Sequence, residues 1–152
     1  MTTVEYSVEV DASPQRVWEL VSDPRNLPHW DKHIVGVRLP PGGLAPGVRY
    51  EVVMGFLVVR ATVRAEVLEW EPPWRSRLRL RGPLDATVTT SIAKLPYERS
   101  VLRHEVEYSF GGPLGRLAAA SLNAVGGAHL ALRRGTLKQR HQIESRGRAA
   151  NA

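Results

Sequence analysis

Two histidines carry the chemistry this sequence offers. His104 alternates with Leu102, Val106, Tyr108 and Phe110 at a period of two, so in a strand it points with the apolar residues and away from Arg103, Glu105 and Glu107. At about 100° per residue, His129 shares a helical face with Leu114, Ala118, Ser121, Leu122, Val125, Leu132, Thr136 and Ile143. His104 lies about 20 Å from the end of its strand and His129 about 24 Å into its helix, so a helix folded back over that strand brings both to similar depth. Imidazole titrates near neutral pH, which suits enolisation or loss of water as well as hydrogen bonding to a ligand's carbonyl or hydroxyl. The alternative is a pair of core histidines bonded to neighbouring side chains, backbone or water. His104 and His129 are the catalytic candidates, with Tyr50, Tyr108 and Thr136 expected beside them.

Other common chemistries find no motif. There is no HExxH, no nucleophile elbow, and the GGPLG segment lacks the lysine of a phosphate-binding loop. His29, His33 and His141 show no metal-ligand spacing, and the absence of cysteine removes thiolate sites, thiol catalysis and disulfides. Neither a metal nor a cofactor is expected.

The elements that must position the histidines follow from periodicity. Residues 3 to 10 alternate as a half-buried strand, and Ser13 and Pro14 then start a short helix as N-cap and first helical residue. Pro24 stops it, Asp23 can cap a second short helix, and that one runs out near Trp30. Six strands follow, from Ile34, Val48, Leu57, Ser76, Ala86 and Leu102, with a bulge expected near Leu68. The chain closes with one long amphipathic helix from Leu114 to about Ile143. Gly126 interrupts it, either bending it or thinning its surface for a ligand. At about 45 Å that helix exceeds the width of a small domain, so its turns beyond about Lys138 are expected to overhang and fray.

A chain of 152 residues fits a single domain at 1–146, followed by a disordered basic tail at 147–152. No basic n-region with an apolar run and no membrane-length apolar stretch occurs, so a cytoplasmic protein is expected. The net charge of +6 lies largely in Arg75, Arg77, Arg79 and Arg81, which read as a solvated strand face paired with Glu51, Glu66, Glu105 and Glu107, and in the C-terminal basic residues. Specific nucleic-acid binding is not expected. Peripheral membrane contact through the basic C-terminus is a possible use of the second group, and the protein is expected as a monomer or homodimer.

The run VDASPQRVWELVSDPRNLPHWDKHI, residues 10 to 34, resembles the N-terminal signature of the polyketide cyclase/dehydrase-like branch of the START-like (SRPBCC) superfamily. Ala12 to Pro14, Val17-Trp18, Ser22 to Pro24 and Trp30-Asp31 carry the likeness, and GGPLGRLA opening the last helix is also typical. The resemblance implies an α+β helix-grip fold: a seven-stranded antiparallel sheet curled around a long C-terminal helix, with two short helices between strands 1 and 2. It also implies an internal cavity for a small hydrophobic or polyketide-like ligand, with cyclisation, aromatisation or dehydration in some members and lipid or quinone carriage in others. The family shares no catalytic motif. The ligand-binding candidates are therefore this chain's own inward residues: Trp30, Tyr50, Met54, Tyr108, Val125, Gly126, Leu132 and Thr136.

Overall fold

The computed structural model describes residues 1–56, 58–124 and 126–150. Leu57, expected in a strand, and Val125, expected at the ligand, fall outside them. The alternating stretches form β1 (Thr2–Val10), β2 (Ile34–Arg38), β3 (Arg49–Phe56), β4 (Val59–Glu71), β5 (Arg75–Arg81), β6 (Leu84–Leu95) and β7 (Arg99–Phe110). Short turns join β2 through β7 into an antiparallel meander, and β1 pairs with β7, giving the order β1-β7-β6-β5-β4-β3-β2. The edges are therefore β1 and β2. Helices α1 (Pro14–Val21) and α2 (Leu27–Trp30), with a 3-10 turn between them, carry the chain from one edge to the other. This is the helix-grip arrangement, with the sheet curled around the C-terminal helix.

Local chemistry sets the helix ends. Ser13 Oγ accepts the Arg16 N–H at 3.4 Å with Pro14 in the first turn, and the Asp23 carboxylate accepts the Arg25 N–H at 3.0 Å. The expected bulge in β4 lies between Val67 and Glu69, where the register against β5 shifts. The arginine strand pairs differently from the expectation: Arg75 and Arg77 reach Glu69 at 2.9 and 3.7 Å, while Glu51 and Glu66 meet Arg38 and Arg49.

The closing helix differs most. It is two helices, α3 (Gly112–Ala124) and α4 (Ala128–Ala150). Gly126 and Gly127 adopt φ of +99° and +91°, and their N–H groups bond back to Asn123 O at 3.1 Å and Leu122 O at 3.0 Å. This Schellman closure ends α3 in a conformation that L side chains rarely adopt. The far end is docked against the fold. Ile143 is buried, Glu144 accepts the Asp11 N–H at 2.9 Å, and Gly147 leaves room for the Arg16 guanidinium, whose nearest nitrogen would lie 3.2 Å from an added Cβ. The helix is held along β1 and α1, and residues 147 to 150, expected in the tail, belong to it.

Packing is uneven along the sheet. At one end Val10, Val17, Leu102 and Ile143 make a solid core, and Trp18 meets Trp70 edge-on with ring centroids 4.9 Å apart. A second cluster, Tyr50, Val52, Val63, Ala65 and Val67, lines the inner face of β3 and β4. Ala118 anchors α3 against Ala61, whereas Leu114, counted on the same helical face, is 39% exposed.

The hairpin between β6 and β7 contains Tyr97 and Glu98 at φ of 63° and 56°. Both side chains are exposed, so replacing them with Asn-Gly loses no packing and relieves the left-handed strain. We expect a gain of about 1 kcal/mol, or roughly 2–4 °C in a thermal melt. An unchanged melting temperature would mean that the loop bears no such strain.

Candidate functional site

Strand register brings polar residues into one row on the inner face. His104 lies opposite Tyr6 of β1 and Thr90 of β6, and Thr90 lies opposite Ser76 of β5. Across the interior, α4 presents Gln139 to the same row. His104 Nδ1 is 2.9 Å from Thr90 Oγ1, and His104 Nε2 is 2.7 Å from Gln139 Oε1. An amide oxygen only accepts, so Nε2 carries the hydrogen and Nδ1 accepts the Thr90 hydroxyl. Burial holds His104 below its ordinary pKa, against the upward pull of the Gln139 bond, which favours the neutral ring. Both ring nitrogens are engaged within the protein.

Next to this row the interior opens into a cavity of about 330 Å³. Its sheet wall is mostly apolar, with Leu78, Val88 and Val106, while α4 contributes the small residues Ala128, Ala131 and Gly135. That asymmetry explains the space, because the helix face does not reach far enough to fill the gap over the curled sheet. Thr136 borders the cavity, yet its hydroxyl donates to Leu132 O at 2.8 Å, an in-helix bond that spends its proton.

Near α2, Asp31 and His33 line the cavity. One Asp31 oxygen accepts the His33 backbone N–H at 2.9 Å and lies 3.1 Å from His33 Nδ1, fixing the imidazole by its own turn. Trp30 donates its indole N–H to Gln142 Oε1 at 2.9 Å. It borders both the cavity and a surface groove of about 420 Å³ that also contains His29, Lys138 and His141. Trp30 is thus part of the wall between the cavity and solvent.

The structure gathers six of the expected residues around the cavity: Trp30, Met54, His104, Tyr108, Leu132 and Thr136. It does not bring His129 there. His129 is exposed, edge-on to Tyr6 with ring centroids 6.2 Å apart, and the expected His104–His129 pair does not form. His129 lies in the first turn of α4, beside Tyr6 of edge strand β1 and off the cavity lining, whereas Leu132 and Thr136 further along the helix reach it. Gly126 ends α3 and does not line the cavity. Tyr50 is buried in the β3–β4 cluster, where loss of solvent pushes its phenol up to about 12, and it too is off the lining.

Several participants were not among the expected residues. Gln139 follows Thr136 by three residues and Leu132 by seven, so helical spacing was available as a signal. Thr90 needed the β6 register, which small and polar residues on both faces obscure. Nothing in periodicity marks Asp31 and His33, which lie in a turn. Among the described residues no three His, Cys, Asp or Glu side chains group closely enough for a metal ion, and no helix is long and apolar enough to cross a membrane.

A sequence profile described as "Polyketide cyclase / dehydrase and lipid transport" matches residues 1–140. No curated protein matches the sequence. Among solved structures, TTHA0849 from Thermus thermophilus superimposes with a TM-score of 0.70 at 15% identity, covering 95% of this chain and 98% of that one. CV1439 from Chromobacterium violaceum gives 0.67 at 21% identity, covering 95% and 99%. Ara h 8.0201 gives 0.66 at 12% identity, covering 95% and 98%. At these identities the likeness is one of fold.

Proposed function

The chain belongs to the polyketide cyclase/dehydrase and lipid transport family, and we propose that it binds a small, largely apolar molecule in the cavity between sheet and α4 and carries it unchanged. The observation behind this reading is the state of the cavity's polar groups. An apolar space of about 330 Å³ adjoins a histidine whose two nitrogens are both taken by Thr90 and Gln139. A general base needs a lone pair within reach of substrate, and His104 has given its own to Thr90. Apolar walls with a few placed polar groups are what ligand retention requires. The basic side chains exposed on α4, among them Arg133 and Lys138, suit approach to an anionic membrane surface, each contributing about 1 kcal/mol.

Native mass spectrometry of the protein purified from its own host tests the carrier reading. We expect a co-purified small molecule on the wild type and its loss from Ala131→Phe, which fills the cavity from α4 while leaving the exposed surface intact. Retention of the same mass by that variant would place the molecule elsewhere. The enzymatic reading, a cyclase, aromatase or dehydratase of polyketide-like chains, is favoured by the Asp31–His33 pair on the lining. Turnover of a poly-β-ketone thioester by wild type but not by His33→Asn would replace carriage with catalysis.

A further inference from the structure

The row of hydrogen bonds beneath the cavity runs in one direction and ends on a free donor. Thr90 Oγ–H donates to His104 Nδ1, and His104 Nε2–H donates to Gln139 Oε1. Gln139 is 7% exposed and borders the cavity. Its carboxamide nitrogen makes no hydrogen bond among the described residues. Nor is that nitrogen sealed in. The buried side-chain nitrogen without a partner among those residues is Nε of Arg77, on the outer face of the sheet. With its oxygen fixed on His104, the carboxamide keeps its nitrogen in one orientation.

We infer that Gln139 determines specificity in the cavity: its N–H, aimed by His104 and Thr90, binds an uncharged hydrogen-bond acceptor, such as a ketone, quinone or ester carbonyl, on an otherwise apolar ligand. This rests on the cavity being the ligand site. A pure hydrocarbon leaves the donor unsatisfied. A carboxylate meets no cation among Thr90, His104 and Gln139, so its desolvation goes uncompensated. A carbonyl satisfies the donor at no such cost. His104 and Thr90 are positioning residues in this arrangement, acting on the ligand only through Gln139.

Fluorene and 9-fluorenone make the test, since they share a rigid ring system and differ in one carbonyl. Titration of each into the full-length chain is compared between wild type and Gln139→Leu, with Gln139→Met, which keeps the side-chain length, as the second variant should the first not melt cooperatively. We expect 9-fluorenone to bind about 2- to 10-fold more weakly to the variant and fluorene to bind unchanged or more tightly. The infrared carbonyl band of bound 9-fluorenone should lie at lower frequency in wild type than in the variant. Equal weakening of both compounds, or a band that does not move, overturns the role of Gln139 and leaves the cavity as the binding site. Failure of both compounds to bind wild type overturns the cavity reading and this inference with it.

Discussion

Replacing Trp30 with alanine is expected to cost the fold about 3–5 kcal/mol and to speed the escape of any cavity ligand. The ring is 6% exposed, packs with the core that joins α1, β1 and α4, and donates its indole N–H to Gln142. Removing it takes out the largest side chain between the cavity and the groove at His29, Lys138 and His141. Trp30→Phe separates the two contributions. It keeps most of the packing and loses the hydrogen bond, for about 1 kcal/mol. Urea unfolding gives the stability change, and stopped-flow release of a fluorescent apolar probe gives the escape rate. If Trp30→Ala unfolds more readily but releases the probe at the wild-type rate, Trp30 is a packing residue and the exit lies elsewhere.

The second large effect belongs to His104. His104→Leu leaves the Thr90 hydroxyl and the Gln139 carbonyl without their partner, at about 1–3 kcal/mol for each group. Adding Thr90→Val should recover part of the loss, because removing both members of a buried hydrogen bond costs less than removing one. The same histidine gives stability a pH dependence of known sign. Burial lowers its pKa in the fold from the ordinary value of 6.5, so the unfolded chain binds a proton that the folded chain refuses. Its contribution is fully present above pH 6.5 and is lost as the pH falls from there through the folded pKa. The slope in that window is at most about 1.4 kcal/mol per pH unit for a single group. Denaturant midpoints measured across mildly acidic pH should fall for wild type and fall less for His104→Leu. Parallel curves for the two proteins would mean that His104 is not held neutral by the fold.

Most of the architecture is legible in the sequence. Period-two alternation places the seven strands, Ser13-Pro14 and Asp23 mark helix starts, and the phase shift near Leu68 marks the bulge in β4. These are local signals, each set by a residue's own backbone preference or by the requirement that one strand face be buried. The same alternation aims His104 inward, and six of the residues expected at the site do border the cavity.

Local signals fail where they are extended too far. A single helical face counted from Leu114 to Ile143 assumes one continuous helix; two glycines at positive φ divide it, and His129, in the first turn of the second helix, is exposed beside Tyr6 while Leu132 and Thr136 border the cavity. Lys138 and beyond look like overhang by length alone. Docking against Asp11, Arg16 and Trp30 holds that end in place.

By itself the sequence determined the strands, the capped helices, the inward direction of His104 and a curled sheet with a helix across it, because these depend on repeat period and turn chemistry within a few residues. Only the tertiary structure decided which groups meet. Thr90, His104 and Gln139 lie on three elements, 14 and 35 residues apart for the two bonded pairs, and their juxtaposition follows from the β6–β7 register and the depth at which α4 restarts. Register and depth are set by packing between elements. A pattern that repeats every two or 3.6 residues specifies faces, and it leaves the partner across the core to that packing.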